Sequence, residues 1–279
     1  GLLRSFSKRI EIYMSKRRPS TYKITDSLNQ RQRINRLMRL MDLEAASAQF
    51  DRLTEKVEER SGSSHDLIEA LLEHEAAYRE DYRIDLQKRN AKFVVRKTFD
   101  DFDFSFPDKI DRKLINQLRS CDFIDQNKNI LILGPYGVGK SHIACALGYE
   151  AIQAGYSTRC MTLEQIVEEA NKTIDSTKGR KQKLMGLVRT KLLILDEIEE
   201  TEKPLIISQD ATDFLYSLVR KRYESTNSST IFTFNESFKG WDKIFGSEER
   251  AKKIIDRILE RRYIVRIEGR SYRAREEKN

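Results

Sequence analysis

The chain of 279 residues has few cysteines, few histidines and no long apolar run. Its three cysteines, Cys121, Cys145 and Cys160, are odd in number and lack the spacing of metal ligands, and the three histidines form no metal-binding pattern. No run approaches the length of a membrane span and no secretory pattern opens the chain, so we expect a soluble protein. The length leaves room for one larger and one smaller domain, and 39% hydrophobic residues are enough for a core.

Residues 134–141 read Gly-Pro-Tyr-Gly-Val-Gly-Lys-Ser, which fits the phosphate-binding loop pattern. An apolar run, 129–133, precedes the loop as a strand would, and residues at helical spacing follow it. In such a loop the backbone N–H groups face the phosphates, the lysine reaches the β- and γ-phosphates, and the Ser141 hydroxyl ligates Mg²⁺. The residues predicted to bind the nucleotide are Gly134, Pro135, Gly137, Val138, Gly139, Lys140, Ser141 and His142. The sequence therefore predicts binding of a nucleoside triphosphate, ATP, together with Mg²⁺.

A second apolar run, Leu192–Leu195, ends in Asp196 and Glu197. A strand that is buried on both faces of a parallel sheet has this composition, and its carboxyl end is where ligands bind. Asp196 is expected to hold the Mg²⁺, directly or through a water molecule. Glu197 is placed to orient and deprotonate the attacking water, so the pair predicts hydrolysis of ATP.

The net charge is +8, and the basic residues concentrate in two places. One is the N-terminal stretch that includes Lys8-Arg9 and Lys16-Arg17-Arg18, and the other is residues 250–275. Clustered positive charge is typical of nucleic-acid binding, while a solvated charged face explains either cluster alone equally well. Two clusters in one ATPase favour nucleic acid. A nucleotide site and unpaired cysteines also lead us to expect a cytoplasmic protein.

Composition and periodicity predict three regions: a basic N-terminal arm over 1–30, a helical domain over 31–95 and an ATPase domain over 96–279. In the helical domain we expect two helices, one starting at Arg31 and continuing through Val57, and one that Ser63 caps with Asp66 in its first turn. In the ATPase domain we expect helix 108–125, strand 129–133, helix 140–153, strand 156–161, helix 163–175, strand 191–195, helix 210–224, strand 229–234 and helix 247–262. This alternation predicts an α/β fold, with a parallel sheet between helices.

Residues 97–106 alternate aromatic and acidic side chains. Two interpretations fit this pattern: an extended connector whose phenylalanines dock on the ATPase domain, which we favour, or a lid on the adenine side of the nucleotide.

In order and spacing, several further motifs resemble one family. They are Phe102-Asp103-Phe104, Gly134–His142, Leu192–Glu197, Arg222-Tyr223-Glu224, Thr233-Phe234-Asn235, Trp241 with Phe245-Gly246, Asp256-Arg257-Ile258 and Gly269–Arg273. From about Arg31 to Arg275 the chain resembles the IstB-type transposition helper ATPases of bacterial insertion sequences. These are AAA+ proteins of the same clade as the DnaC and DnaI helicase loaders.

The resemblance implies roles for three polar residues. Asn235 is similar to the sensor that positions the water and the γ-phosphate beside Glu197. Arg257 resembles the arginine finger that reaches the nucleotide of a neighbouring subunit, for which Arg250 and Arg261 are competitors. Arg273 resembles the second sensor, which contacts phosphate from its own subunit.

The resemblance also implies partners: duplex DNA bound with little sequence preference, the transposase of the same element, and further copies of this chain. A loop that lines the central channel in this clade would bear the candidate DNA contacts Lys178, Arg180, Lys181 and Lys183. A solvated loop explains these residues equally well, and Lys172 and Arg189 are alternatives.

Two other functions remain open from the sequence. The first is a replicative helicase loader of the DnaC/DnaI type, whose nucleotide site would be the same. The second is a DNA-binding scaffold that uses ATP only as an assembly ligand, which Glu197 argues against. A small-molecule kinase would leave the arginine-rich C-terminal region unexplained.

Overall fold

The computed structural model describes residues 29–93, 96–172, 176–198, 207–226, 228–235, 238 and 240–272. The chain divides into two compact units, Gly1–Asp81 and Tyr82–Asn279. This division falls inside a helix, whereas the composition placed the boundary at residue 95. Within the described ranges, no helix combines the length and apolar character needed to cross a membrane.

The N-terminal unit is built from α1 (Gln30–Leu40), α2 (Glu44–Glu59) and the first part of α3 (Ser64–Ala91). The single helix expected from Arg31 through Val57 is wrong, because Asp42 has a left-handed backbone conformation (φ 57°) that separates α1 from α2. The predicted cap of α3 is confirmed. The Ser63 N–H donates to Asp66 Oδ2 at 2.6 Å, and the Asp66 N–H donates back to Ser63 Oγ at 3.3 Å.

Glu75 is a buried carboxylate in the N-terminal unit, with 4% of its surface exposed. It accepts hydrogen bonds from the Ala45 and Ala46 N–H groups in the first turn of α2, at 3.0 and 3.1 Å, and from Arg79 Nε at 2.8 Å. Burial alone would raise the pKa of Glu75, but these hydrogen bonds outweigh it and hold the pKa below its ordinary value. Glu75 therefore anchors the start of α2 to α3.

We expect Glu75→Ala to destabilise the start of α2 by about 1–3 kcal/mol, because two buried N–H groups lose their acceptor. Hydrogen exchange at the amides of Ala45 and Ala46 in the full chain should accelerate accordingly. In the wild type the stabilisation by the Glu75 carboxylate is fully present above the ordinary pKa of a glutamate. It is lost as the pH falls through the lowered pKa of Glu75. The exposed Glu73 on the same helix provides the control, and equal exchange in Glu73→Ala and Glu75→Ala would contradict the assignment.

The second unit contains one six-stranded sheet. Its strands are β1 (Lys109–Ile110), β2 (Asn129–Leu133), β3 (Thr158–Thr162), β4 (Leu192–Asp196), β5 (Ser229–Phe234) and β6 (Arg262–Glu268). Its helices after α3 are α4 (Arg112–Leu118), α5 (Asp122–Asp125), α6 (Lys140–Gln153), α7 (Leu163–Lys172), α8 (Thr177–Arg189), α9 (Gln209–Glu224), α10 (Trp241–Phe245) and α11 (Glu248–Glu260). The strand order is β1-β6-β2-β5-β4-β3, and all pairs are parallel except β1 with β6. The predicted α/β architecture is confirmed.

The sheet is buried on both faces because its central strands are continuously apolar. Along β4, Leu193 and Leu195 belong to one core and Leu192 and Ile194 to the other. Helix α6 packs on the second core, while α9 and α11 pack on the first. The sheet therefore lies between two layers of helices, and the carboxyl ends of β2, β5 and β4 come side by side at one edge.

Several expected elements differ from the structure. The helix predicted over 108–125 is β1 followed by the short helices α4 and α5. The helix predicted over 247–262 is shorter, Glu248–Glu260, and β6 begins at Arg262. Helices α8 and α10 and strand β6 were not expected. Strand β6 pairs with β2 and alternates charged, exposed residues such as Arg266 with buried ones such as Val265 and Ile267.

Arg222 joins the carboxyl end of α8 to β5 and is 5% exposed. Its guanidinium donates to the carbonyl oxygens of Leu187 at 2.8 Å, Thr190 at 2.7 Å and Ser229 at 2.5 Å. Burial lowers the pKa of Arg222 to about 9, which leaves the group charged at pH 7. Helix α8 is thereby fixed to the sheet that carries the site.

Candidate nucleotide-binding site

The loop between β2 and α6 has the backbone conformation that its glycines allow. Gly137 and Gly139 have φ values of 77° and 99°, and Gly139 precedes the first turn of α6. A Cβ on Gly134 would lie 2.2 Å from the Ile267 carbonyl oxygen, so β6 approaches the loop too closely for any side chain there. The loop therefore presents the N-terminus of α6 and its backbone N–H groups, which is an arrangement suited to phosphate.

Lys140 is largely buried in this loop, with 7% of its surface exposed. Its ammonium donates to the carbonyl oxygens of Gly134 and Pro135 at 2.8 and 2.9 Å, and to Asn235 Oδ1 at 2.9 Å. The structure thus brings together two predicted site residues that are 95 positions apart in sequence. Topology explains this contact, because Asn235 follows β5, the strand adjacent to β2.

The acid pair lies at the end of β4. Glu197 has a left-handed backbone conformation (φ 55°) and lines the same cleft as Lys140 and Ser141. The Thr233 hydroxyl donates to Asp196 Oδ1 and accepts from the Glu197 N–H at 2.8 Å. Sequence reasoning did not identify Thr233 as a site residue, although a hydroxyl inside the apolar run of β5 was a signal that could have marked it.

The cleft has a volume of about 450 Å³ and lies between the loop and the segment 97–107. The residues of the loop and of α6 that line it are Tyr136, Gly137, Val138, Gly139, Lys140, Ser141 and His142. Gly134 and Pro135 contribute through their carbonyl contacts with Lys140. The predicted nucleotide-binding residues are therefore contiguous in space.

The aromatic–acidic segment contributes to both the core and the cleft. Phe99 is buried in the core beside α6, as the connector interpretation requires. Phe102 and Phe106 line the cleft, and the Phe106 ring packs edge-on against the Tyr272 ring with 4.7 Å between the two ring centres. Phe102 packs so closely on Gly139 that a Cβ there would lie 2.6 Å from its ring. These rings form an apolar wall that suits a nucleobase.

His142 links α6 to the same segment. Its Nε2 lies 2.7 Å from the Thr98 carbonyl oxygen, and its ring meets Phe102 edge-on. Burial lowers the pKa of His142, and the Thr98 carbonyl only partly offsets that effect. At pH 7 the imidazole is therefore neutral and donates its Nε2–H to this carbonyl.

Ser141 and Asp196 supply a hydroxyl and a carboxylate, the oxygen ligands that Mg²⁺ prefers. The ranges that the structure describes contain no group of three or more His, Cys, Asp or Glu side chains able to hold a metal by themselves. The two side chains thus fit an ion that takes its remaining ligands from water and from substrate phosphate.

The candidate arginines lie in different surroundings. Arg257, on α11, is half-buried, is not among the cleft-lining residues and has its guanidinium 5.7 Å from the centre of the Tyr223 ring. Arg250 forms an ion pair with Asp213 at 2.6 Å, and Arg261 is exposed. Arg273, the predicted second sensor, is outside the described residues.

The four predicted DNA contacts lie on helix α8, so the expectation of a loop at this position is wrong. Arg180 forms an ion pair with Asp210, and Lys183 with Glu169. Lys178 and Lys181 are exposed. Of the alternatives, Lys172 at the end of α7 contacts Glu168 at 3.4 Å and Arg189 is exposed. Helix α8 thus presents the exposed Lys178, Lys181 and Arg189, while Arg180 and Lys183 hold it to α9 and α7.

Comparisons with known proteins agree with this geometry. The sequence profile of the IstB-like ATP binding protein family matches residues 36–279. The chain is 31% identical over 248 residues to a protein described as an ATP-binding protein of insertion sequence IS5376 from Geobacillus stearothermophilus, with 89% of this chain and 96% of that protein covered. It is 30% identical to the corresponding protein of IS21 from Pseudomonas aeruginosa, with 87% and 89% covered.

Among solved structures, the chain is similar to DnaI, with a TM-score of 0.50 and 20% sequence identity, over 62% of this chain and 91% of that one. The DnaC helicase loader matches with a TM-score of 0.46 and 18% identity, over 56% and 87% of the two chains. At this identity the likeness to DnaI concerns the fold.

Proposed function

This chain belongs to the IstB-like ATP-binding protein family, and we propose that it is a Mg²⁺-dependent ATPase that assembles on duplex DNA and recruits or regulates the transposase of an insertion sequence. The observation that supports hydrolysis most strongly is the contact of Lys140 with Asn235 at one edge of the sheet, beside the acid pair that Thr233 holds. The insertion-sequence relatives support the role in transposition.

In the hydrolytic mechanism, Lys140 exchanges its carbonyl acceptors for the β- and γ-phosphate oxygens of ATP. The backbone N–H groups at the start of α6 hold the same phosphates. Glu197 accepts a proton from the attacking water, and Asn235 orients that water against the γ-phosphate. When Mg²⁺ is bound by Ser141 and Asp196, it neutralises negative charge on the phosphate oxygens.

Arg257 supports an assembly of several copies. It lies on α11 and is not among the residues that line the cleft of its own chain. A permanently charged, planar donor suits the charge that develops on the γ-phosphate. If this donor comes from a neighbouring copy, ATP binding favours head-to-tail assembly because it joins two subunits.

DNA binding is supported by the net charge of +8 and by the exposed Lys178 and Lys181 on α8. Lysines contact DNA mainly through phosphates, so binding should have little sequence preference and should weaken with salt. Because Arg180 and Lys183 already have acidic partners within the chain, we place the DNA contact on the other two residues.

The proposal is tested by fluorescence anisotropy with a labelled random-sequence duplex in ATP, a non-hydrolysable analogue, ADP and no nucleotide. We expect tight, cooperative binding only with a triphosphate. The double variant Lys178→Ala/Lys181→Ala should bind more weakly, with a salt slope reduced by about two. Lys252→Ala, which removes a lysine already paired with Glu248 on α11, is the matched control. Binding that is absent or independent of nucleotide would overturn the proposal and favour a helicase-loading role.

A further inference from the structure

One buried hydroxyl holds both members of the acid pair. Thr233 has no exposed surface and lies in β5, next to the strand that ends at Asp196. Its single O–H proton is donated to Asp196 Oδ1, and its oxygen accepts the Glu197 N–H at 2.8 Å. Both functions of the hydroxyl are therefore used by the two residues that hydrolysis needs.

The backbone at Glu197 needs this support. A non-glycine residue at φ 55° is in the left-handed region, which costs about 1–2 kcal/mol. Besides the hydroxyl bond, the Thr233 carbonyl oxygen accepts the Ile198 N–H at 3.0 Å. Thr233 thus accepts hydrogen bonds from the N–H groups of both Glu197 and Ile198, and these two bonds fix the turn that places Glu197 in the cleft.

Register explains why Thr233 is the residue at this position. Leu195 of β4 pairs with Phe232 of β5, so the next residue of β5 lies level with Asp196. Phe232 and Phe234 belong to the same core as Leu193 and Leu195, whereas Thr233 faces the other side of the sheet. A valine would fill nearly the same volume there but would leave the Glu197 N–H without its acceptor and Asp196 without its donor.

We propose that Thr233 is a positioning residue for ATP hydrolysis, whose hydroxyl sets Asp196 and Glu197 in their working orientation without contacting ATP. This inference rests on the proposed hydrolytic function. A positioning residue that acts on the base affects the chemical step more than it affects nucleotide binding, because Lys140 and the loop hold the phosphates independently.

The test compares Thr233→Val with Thr233→Ser by steady-state ATPase kinetics and by titration with a fluorescent ATP analogue. In the valine variant we expect kcat to fall at least about 10-fold, while KM and analogue affinity change less than about threefold. The serine variant keeps the hydroxyl and should keep kcat within about threefold of the wild type. If the valine variant does not fold, Thr233→Ala replaces it.

The matched control is Thr230→Val, which removes a buried hydroxyl from the same strand. Thr230 Oγ1 accepts from Arg222 Nε at 2.9 Å, away from the cleft, so this variant should lose thermal stability but keep kcat. A serine variant as slow as the valine variant, or a valine variant with wild-type kcat, would overturn the assignment of Thr233. A wild-type protein that binds ATP without hydrolysing it would instead overturn the proposed ATPase function.

Discussion

Lys140→Ala should reduce ATP affinity by at least about 100-fold, since two or more charge-assisted hydrogen bonds to phosphate are lost at about 1.5–3 kcal/mol each. ATP hydrolysis and ATP-dependent DNA binding should be lost with it. Isothermal titration calorimetry with ATP and Mg²⁺ measures the change directly. The expectation follows from the position of Lys140, which is held by the Gly134 and Pro135 carbonyls at the floor of the cleft.

The matched control for Lys140→Ala is Lys128→Ala, which removes a lysine before β2. Lys128 Nζ lies 3.3 Å from the Tyr263 hydroxyl and is not among the cleft-lining residues. Its replacement should leave ATP affinity unchanged, so a comparable loss in both variants would indicate a general effect of charge. ATP affinity within about threefold of the wild type in a folded Lys140→Ala variant would contradict the nucleotide site.

Glu197→Gln should reduce the rate of ATP hydrolysis by about 10²–10⁴-fold while ATP binding persists, because the amide cannot accept the proton of the attacking water. The backbone is expected to stay in place, since Thr233 holds the Glu197 N–H rather than its side chain. Phosphate release at saturating ATP measures the rate, and calorimetry measures the affinity.

Glu248→Gln is the matched control, because it removes an exposed carboxylate that pairs with Lys252 on α11. We expect its rate to equal that of the wild type. Turnover in Glu197→Gln at the wild-type rate would assign the base to another group and would contradict the proposed mechanism.

The parts of the fold that the sequence predicted are those with local signals. The strand before the loop, the helix after it and the strand before the acid pair were predicted correctly. Each is marked by a continuous apolar run or by glycine spacing, and both signals lie within a few neighbouring residues. Strand β6 was missed because its apolar residues alternate with charged ones within an arginine-rich stretch that was interpreted only as a basic cluster. Pairing with β2 across more than a hundred residues makes it a strand, and no local pattern records that pairing.

The site shows the same limit. The motifs predicted the positions of Lys140 and Glu197 at the cleft, and the family resemblance predicted that of Asn235, while the role of Arg257 stays a prediction. The contacts of Thr233 depend on the register of β4 against β5. Helix α8 was taken for a loop because the family resemblance implies a channel-lining loop at this position. Ion pairs from Arg180 to Asp210 and from Lys183 to Glu169 hold it as a helix, and each of these partners is on another element.

Hydrolysis at a site that two subunits complete is tested most directly by mixing two inactive variants. Glu197→Gln lacks the base but keeps Arg257, and Arg257→Ala lacks the arginine but keeps the base. Each alone should have little ATPase activity. In a random 1:1 mixture about one interface in four combines an intact base with a neighbour's intact arginine, so about a quarter of the wild-type rate should return. A mixture no more active than the average of the two variants would contradict a composite site and leave each cleft to act alone.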